Sequence, residues 1–384
     1  MKILYSAIDQ PVPGTRGGSI HVAAVAEGLA ALGHDVTALV SPGRGERNRS
    51  SVRWIELPPP LGSSRLRLAR AGTIARLAAE MRPDAIMERY HNFGGEAIRA
   101  ARRVHATAVL EVNAPVVDYR GSTKALADRA LLVQPMRRWR EHLCRLADLI
   151  VTPAPAILPP GIPPSRVRVL EWGADTDRFA PGAHGQPPFV RMDVTTVAIF
   201  AGAFRSWHGA IHLVNAIRVL RERGRKEIGA VMIGDGPELP RARRAAEGID
   251  TILFTGALPH ERMPAALSGG DIGVAPFDVA SHAPLSLGFY WSPLKVFEYM
   301  ASGLPVVAPA VDRLPSLVTD GREGVLYNPS DHAAALADAL IRLTDVPLRK
   351  RLGAAARERA VRDYSWAAHC RALERALREA RGPK

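Results

Sequence analysis

The chain has 384 residues, 47% hydrophobic and 23% charged, the proportions of a soluble globular protein with room for two domains of ordinary size. Its two cysteines, Cys144 and Cys370, call for no disulfide framework and suit a reducing cytoplasm, and no stretch approaches the roughly 20 apolar residues of a membrane span. The net charge of +13 is uneven: residues 1–170 hold 24 Lys and Arg against 14 Asp and Glu, the remainder 27 against 24. That asymmetry fits either an anionic partner for the first half or an arginine-rich solvated surface.

The chain opens on an apolar strand, KILYSAI, too short for the core of a signal peptide. A Pro- and Gly-containing loop follows, then a helix over about Ser19–Leu32 and a second strand in GHDVTALV. This βαβ order predicts a parallel sheet. Strands are expected in VRWIEL, DAIMERY, ATAVLEVN, LIVTPA and VRVLEW, with arginine-rich helices between them. FAPGAHGQPP is rich in Pro and Gly and reads as part of a linker. The pattern then restarts with TTVAIFAGAF, a helix, and strands in GAVMIGDGPE, TILFTGAL, DIGVAPF and LPVVAP. These runs do not alternate, which predicts strands buried on both faces. From Ala333 onward the sequence reads as helical. The expectation is two doubly wound α/β domains facing each other across a cleft: 1–175, a linker at 176–190, 191–362, and a C-terminal helix, 363–384, packing back on the first domain.

Several short motifs sit where such domains bind ligands. Gly17 and Gly18 stand between a strand and a helix, where backbone can approach an anion; an ordinary βα turn would look the same. GxGxxG is absent, and GDGPE at 234–238 reads as a tight turn at the carboxyl end of a sheet. Arg205 and His208, in AGAFRSWHGA, follow a strand end and can donate to an anionic group. In FYWSPLKVFEYMASGLPVVAP, Ser292 and Pro293 read as a helix start with serine as N-cap, which places Glu298 about two turns along. DTD at 175–177 resembles a metal-binding DxD but has no third ligand, and a turn or capping role is the better reading. Signatures of zincins, P-loops and α/β-hydrolases are missing. The basic segments at 65–77 and 137–145 read first as solvated helix faces, with docking to a membrane surface as the alternative.

Taken in order, these motifs resemble family 4 retaining glycosyltransferases of the GT-B fold, over nearly the whole chain. GGSIHVAAVAEGLAALGHDVTALV is similar to that family's opening glycine loop and GHxV strand. LEWGADTDRF, FAGAFRSWHG, VMIGDGPE, FTGALPHERMPAALSGGDIGVAPF and SPLKVFEYMASGLPVVAP resemble the remainder. The resemblance implies two Rossmann-like domains, a nucleoside-diphosphate sugar held mainly by the second and a hydroxyl acceptor held mainly by the first. It implies that free amides near Ser292, Leu294 and Lys295 face the diphosphate, with Arg205 and Lys295 neutralising the leaving group. Glu298 corresponds to the family glutamate that accepts from ribose hydroxyls. Gly17 and Gly18 would close on phosphate and sugar, and no metal or other cofactor is implied.

This sequence departs from the family at four positions. Tyr290 stands in place of the first glutamate of E-x7-E, and His208 in place of a lysine. Ala203 replaces an arginine, with Arg205 two residues on, and Asn113 replaces a first-domain histidine. Asparagine can hold a sugar hydroxyl but is no base. Glu111 is expected to point into the sheet. Retention is expected through a same-face displacement in which a leaving phosphate oxygen takes the acceptor proton. The acceptor is a glycan, a lipid-linked glycan or a small molecule, and the basic half allows peripheral contact with an anionic inner membrane face. Three other readings compete: a nucleotide-sugar 2-epimerase of the same architecture, a catalytically dead relative, and a nucleic-acid binder. The last is disfavoured because no nucleic-acid motif is present and aromatics are only 6%.

Overall fold

The structure is a computed structural model that describes residues 1–45, 50–119, 122, 125–126, 134–182, 185–190 and 192–382. The chain splits into two units. The first comprises Met1–Trp172, Tyr290–Ser292 and Trp366–Lys384; the second comprises Gly173–Phe289 and Pro293–Ser365.

In the first unit seven strands pair in parallel in the order β3-β2-β1-β4-β5-β6-β7. They are β1 (Lys2–Val12), β2 (Asp35–Pro42), β3 (Arg53–Glu56), β4 (Ala85–Arg89), β5 (Thr107–Glu111), β6 (Leu149–Thr152) and β7 (Val167–Val169). Between them run α1 (Gly17–Ala31), α2 (Ala71–Met81), α3 (Glu96–Val104) and α4 (Gln134–Leu146). Ile3–Ala7 and all of β5 are buried, as the unbroken apolar runs predict for a sheet covered on both faces. Glu88, at the end of β4, is fully buried and caps α3 by accepting from the amides of Gly95, Ala97 and Ile98 at 2.5, 2.9 and 2.9 Å. A carboxylate on the free amides of a helix start is stabilised both by hydrogen bonds and by the helix dipole.

In the second unit six parallel strands follow the order β10-β9-β8-β11-β12-β13. They are β8 (Thr196–Ala201), β9 (Ile228–Ile233), β10 (Ile252–Gly256), β11 (Ile272–Val274), β12 (Val306–Pro309) and β13 (Gly324–Tyr327). The helices are α5 (Ala210–Glu222), α6 (Leu239–Ala245), α7 (Met263–Ser268), α8 (Leu294–Ala301), α9 (Leu314–Leu317), α10 (His332–Arg342) and α11 (Val346–Asp363). Strand β13 was not expected; its four residues, GVLY, are too short to stand out as an apolar run. The last helix, α12 (Trp366–Arg381), buries Leu373, Ala376 and Leu377 in the core of the first unit.

Two expectations need correction. Residues 176–190 are not a free linker. They belong to the second unit, where Phe179 is 1% exposed and Arg357 Nη1 donates to the carbonyls of Thr176 and Phe179 at 2.8 and 2.7 Å. A buried aromatic ring and carbonyls held by Arg357 outweigh the Pro and Gly content of that stretch; residues 183 and 184 lie outside those described. Ser292 does not cap a helix. Helix α8 starts at Leu294, and Ser292 Oγ instead donates to Glu171 at 2.6 Å and accepts from the Trp172 amide at 3.0 Å, within the first unit. Glu298 therefore sits about one turn into its helix, not two. Among the described residues, no helix is long and apolar enough to cross a membrane.

Candidate active site

In the second unit, chemistry-bearing residues gather at the carboxyl ends of β8 and β9 and the start of α8. The backbone after β8 is held in a tight double layer. Gly202 N donates to the Ile233 carbonyl at 3.0 Å, and Phe204 N to that of Asp235 at 2.9 Å. Glu238 N donates back to the Phe204 carbonyl at 2.9 Å. A Cβ on Gly236 would lie 2.8 Å from Phe204 N, so GDGPE carries glycine because two backbones touch there. Tyr299, fully buried on α8, accepts from the Ala201 amide at 2.7 Å and fixes that helix to the same strand.

Lys295 reaches into this layer from α8. A Cβ on Gly202 would stand 2.8 Å from its Nζ, so a side chain there would displace the ammonium. The Nζ is buried and has no hydrogen-bond partner among the described residues; it lies 4.4 Å from the Phe200 ring centroid and 5.4 Å from that of Phe277. Burial pulls its pKa down to about 7, opposed by Glu298. The Nδ1 of His208 is likewise buried and unpartnered, and burial, then the Lys295 charge, pushes this imidazole down to about 2. His208 is therefore neutral at physiological pH. Arg205 is exposed, its guanidinium 5.8 Å from the Trp207 ring centroid. Leu294, first residue of α8, has no side-chain cap before it, which leaves the leading amides of the helix free.

Glu298, on the same helix, has a partner absent from the sequence reading: His260 Nε2 lies 3.0 Å from its Oε1. Nothing in PHERM announced this pairing, because 38 residues separate the two. Asp175 of the DTD triplet accepts from the amides of Asp177 and Arg178 at 3.3 and 3.1 Å, the turn role expected of it. Elsewhere in the unit His212, Asp278 and His332 come together. The two imidazoles are stacked, with centroids 3.9 Å apart and planes 12° from parallel. A metal binds in the plane of an imidazole, and one ion cannot lie in both of these planes, so the trio is a stacked pair beside a carboxylate and not a chelate.

The first unit has its own polar cluster, centred on Glu111. This carboxylate is buried, accepts from Tyr5 OH at 2.5 Å and Arg89 Nη1 at 3.2 Å, and lies 2.5 Å from His21 Nε2. It does not point idly into the sheet; it is the hub of the cluster. Burial works against its charge, but His21, Arg89 and Tyr5 hold it below its ordinary pKa, while burial lowers that of His21. Asn113 donates from Nδ2 to Glu111 and accepts at Oδ1 from Trp172 Nε1 at 3.0 Å, so its amide braces an indole against the hub. Trp172 also stacks on His21, with centroids 4.4 Å apart. Gly17 begins α1, and a Cβ on Gly18 would run into the Gln10 side chain. Tyr290 is buried, and burial with help from Tyr119 pushes its phenol up to about 12. The structure thus assembles Arg205, His208, Lys295, Leu294 and Glu298 in the second unit. Asn113, Gly17, Gly18, Tyr290 and Ser292 belong to the first.

Comparison with known proteins gives this arrangement a lineage. The family described as Glycosyltransferase Family 4 matches residues 15–178, and that described as Glycosyl transferases group 1 matches residues 195–345. A GDP-mannose-dependent alpha-mannosyltransferase of Mycobacterium tuberculosis is 28% identical, over 94% of this chain and 92% of its own. A D-inositol 3-phosphate glycosyltransferase of Corynebacterium diphtheriae is 27% identical, over 97% and 92%. The fold is similar to that of sucrose-phosphate synthase from Thermosynechococcus elongatus, with a TM-score of 0.72, 21% identity and 98% of each chain covered. With one family match in each unit and relatives that align end to end, the chain belongs to glycosyltransferase family 4 and is a nucleotide-sugar-dependent transferase of GT-B fold.

Proposed function

We propose that this enzyme transfers a sugar with retention of anomeric configuration, without a metal, from a nucleoside-diphosphate sugar held by the second unit to a hydroxyl acceptor held by the first. The observation that carries this reading is Lys295: a buried ammonium with no partner among the described residues, beside the free amides of a helix start. A buried charge without a partner is costly, and a diphosphate is the group that satisfies both features. Arg205 adds charge from the exposed side of the loop, and neutral His208 offers a hydrogen bond where the family carries lysine. Glu298 accepts from the ribose hydroxyls. With cationic and backbone donors on the diphosphate, a divalent ion has no separate task.

In the transfer, the acceptor oxygen forms the new bond to the anomeric carbon on the face from which the diphosphate leaves. The bond from that carbon to phosphate breaks, and a leaving phosphate oxygen takes the acceptor proton. No side-chain base is needed, which agrees with Asn113 being a brace for Trp172. The basic first unit favours an acceptor carrying phosphate or presented at an anionic membrane face, and the phosphorylated polyol in the name of one relative has that chemistry.

The test is turnover of UDP- and GDP-sugars with a phosphorylated polyol or lipid-linked acceptor in excess chelator, with the product anomer assigned by proton NMR. Retention at undiminished rate is expected. An inverted product would refute the stereochemistry, loss of activity with chelator would refute metal independence, and tight donor binding without turnover would identify a binding protein. Co-sedimentation with anionic vesicles at low salt tests the membrane contact, which is refuted if the protein stays in the supernatant.

A further inference from the structure

We infer that His260 is a positioning residue for donor binding, setting the Glu298 carboxylate in the orientation that reads the ribose. This rests on the reading of Glu298 given above. Three elements build the contact. His260 opens the short turn His260–Arg262 after β10, and its Nε2 lies 3.0 Å from Glu298 Oε1, with the two side chains only 20% and 15% exposed. Since a carboxylate facing an imidazole nitrogen acts as the acceptor, Nε2 carries the hydrogen of this contact. The imidazole also meets Phe179, with ring centroids 5.5 Å apart.

Phe179 is itself immobilised. Its amide donates to the Asp175 carbonyl at 2.8 Å, and its carbonyl accepts from Arg357 Nη1 at 2.7 Å. The same Arg357 nitrogen donates to the carbonyl of Ala301, the last residue of α8, at 2.8 Å. One arginine therefore holds both the wall behind His260 and the helix that carries Glu298. A glutamate side chain has three rotatable bonds, and freezing it during binding costs affinity. A partner that fixes it beforehand removes that cost from donor binding. His260 leaves the lone pairs of Oε2 and one of Oε1 for two vicinal hydroxyls.

The experiment is a double-mutant cycle on donor KM, with melting temperature recorded for every variant. His260→Ala should raise donor KM about tenfold with little change in kcat, the scale of losing a hydrogen bond to a charged group. His260→Gln, which keeps an N–H donor, should recover part of the loss and also serves if the alanine variant folds poorly. On a Glu298→Ala background, His260→Ala should have no further effect. With a donor whose ribose lacks the 2′-hydroxyl, the His260→Ala penalty should shrink, which a merely structural role would not produce. An unchanged KM in His260→Ala, or a penalty that persists in full on the Glu298→Ala background, overturns the inference while leaving Glu298 intact. An unchanged KM in Glu298→Ala overturns the ribose assignment itself, and the inference falls with it.

Discussion

Lys295 has the most consequential protonation state in the second unit. Its buried Nζ faces Phe200 and Phe277, and the Glu298 carboxylate on its own helix acts on its charge against the effect of burial. With burial holding the pKa at about 7, the free site is cationic below that value and loses charge above it. A bound diphosphate favours the ammonium, so the complex takes up a proton once the pH exceeds about 7. Affinity for a nucleoside-diphosphate sugar should accordingly be flat below pH 7 and fall by up to about tenfold per pH unit above it. Titrations between pH 6.5 and 9 check this. His208, held at about 2, contributes nothing over that range. A flat profile would show that Lys295 stays charged, or that it does not meet the diphosphate.

At the scale of elements, nearly every strand could be read from apolar runs, because a strand buried on both faces has no polar alternation to hide in, while the order of the strands could not. The failures have physical causes. GVLY was too short to register, although its pairing with β12 spans Gly324 to Tyr327. Ser292 had the right residue type for a cap, but its hydroxyl bonds Glu171 and the Trp172 amide, and local propensity cannot foresee a partner 120 residues away. The same limit hid His260 behind Glu298 and the Glu111 hub behind Asn113, whereas Lys295 and Glu298, which the family resemblance singled out, lie on one short helix. Helix α12 offers a direct test of how the last segment serves the first unit. Leu377 is 1% exposed within that unit's core, so Leu377→Ala should destabilise it by about 2–5 kcal/mol. Chemical denaturation reads this directly; a loss below about 1 kcal/mol would mean that α12 is dispensable to that core.

For the molecule as a whole, two parallel α/β units carry two polar constellations of different character. The Glu111 carboxylate is satisfied: Tyr5, Arg89 and Asn113 donate to it, and His21 lies against it. The Lys295 cluster is unsatisfied, with two buried nitrogens lacking partners among the described residues. A paired buried charge stiffens a scaffold, while an unpaired one is a group that a bound anion can satisfy. That contrast between a paired buried charge and an unpaired one supports the proposal that the second unit holds the donor. The most direct test is the dissociation constant of a nucleoside-diphosphate sugar, measured by calorimetry at pH 6.5 for the wild-type chain and for Lys295→Met, which keeps the apolar stem and removes the charge. The account predicts a loss of at least about thirtyfold, the scale of a charge-assisted contact worth about 2 kcal/mol or more, with the melting temperature of the free protein unchanged or raised. Equal affinities within a factor of two would contradict it.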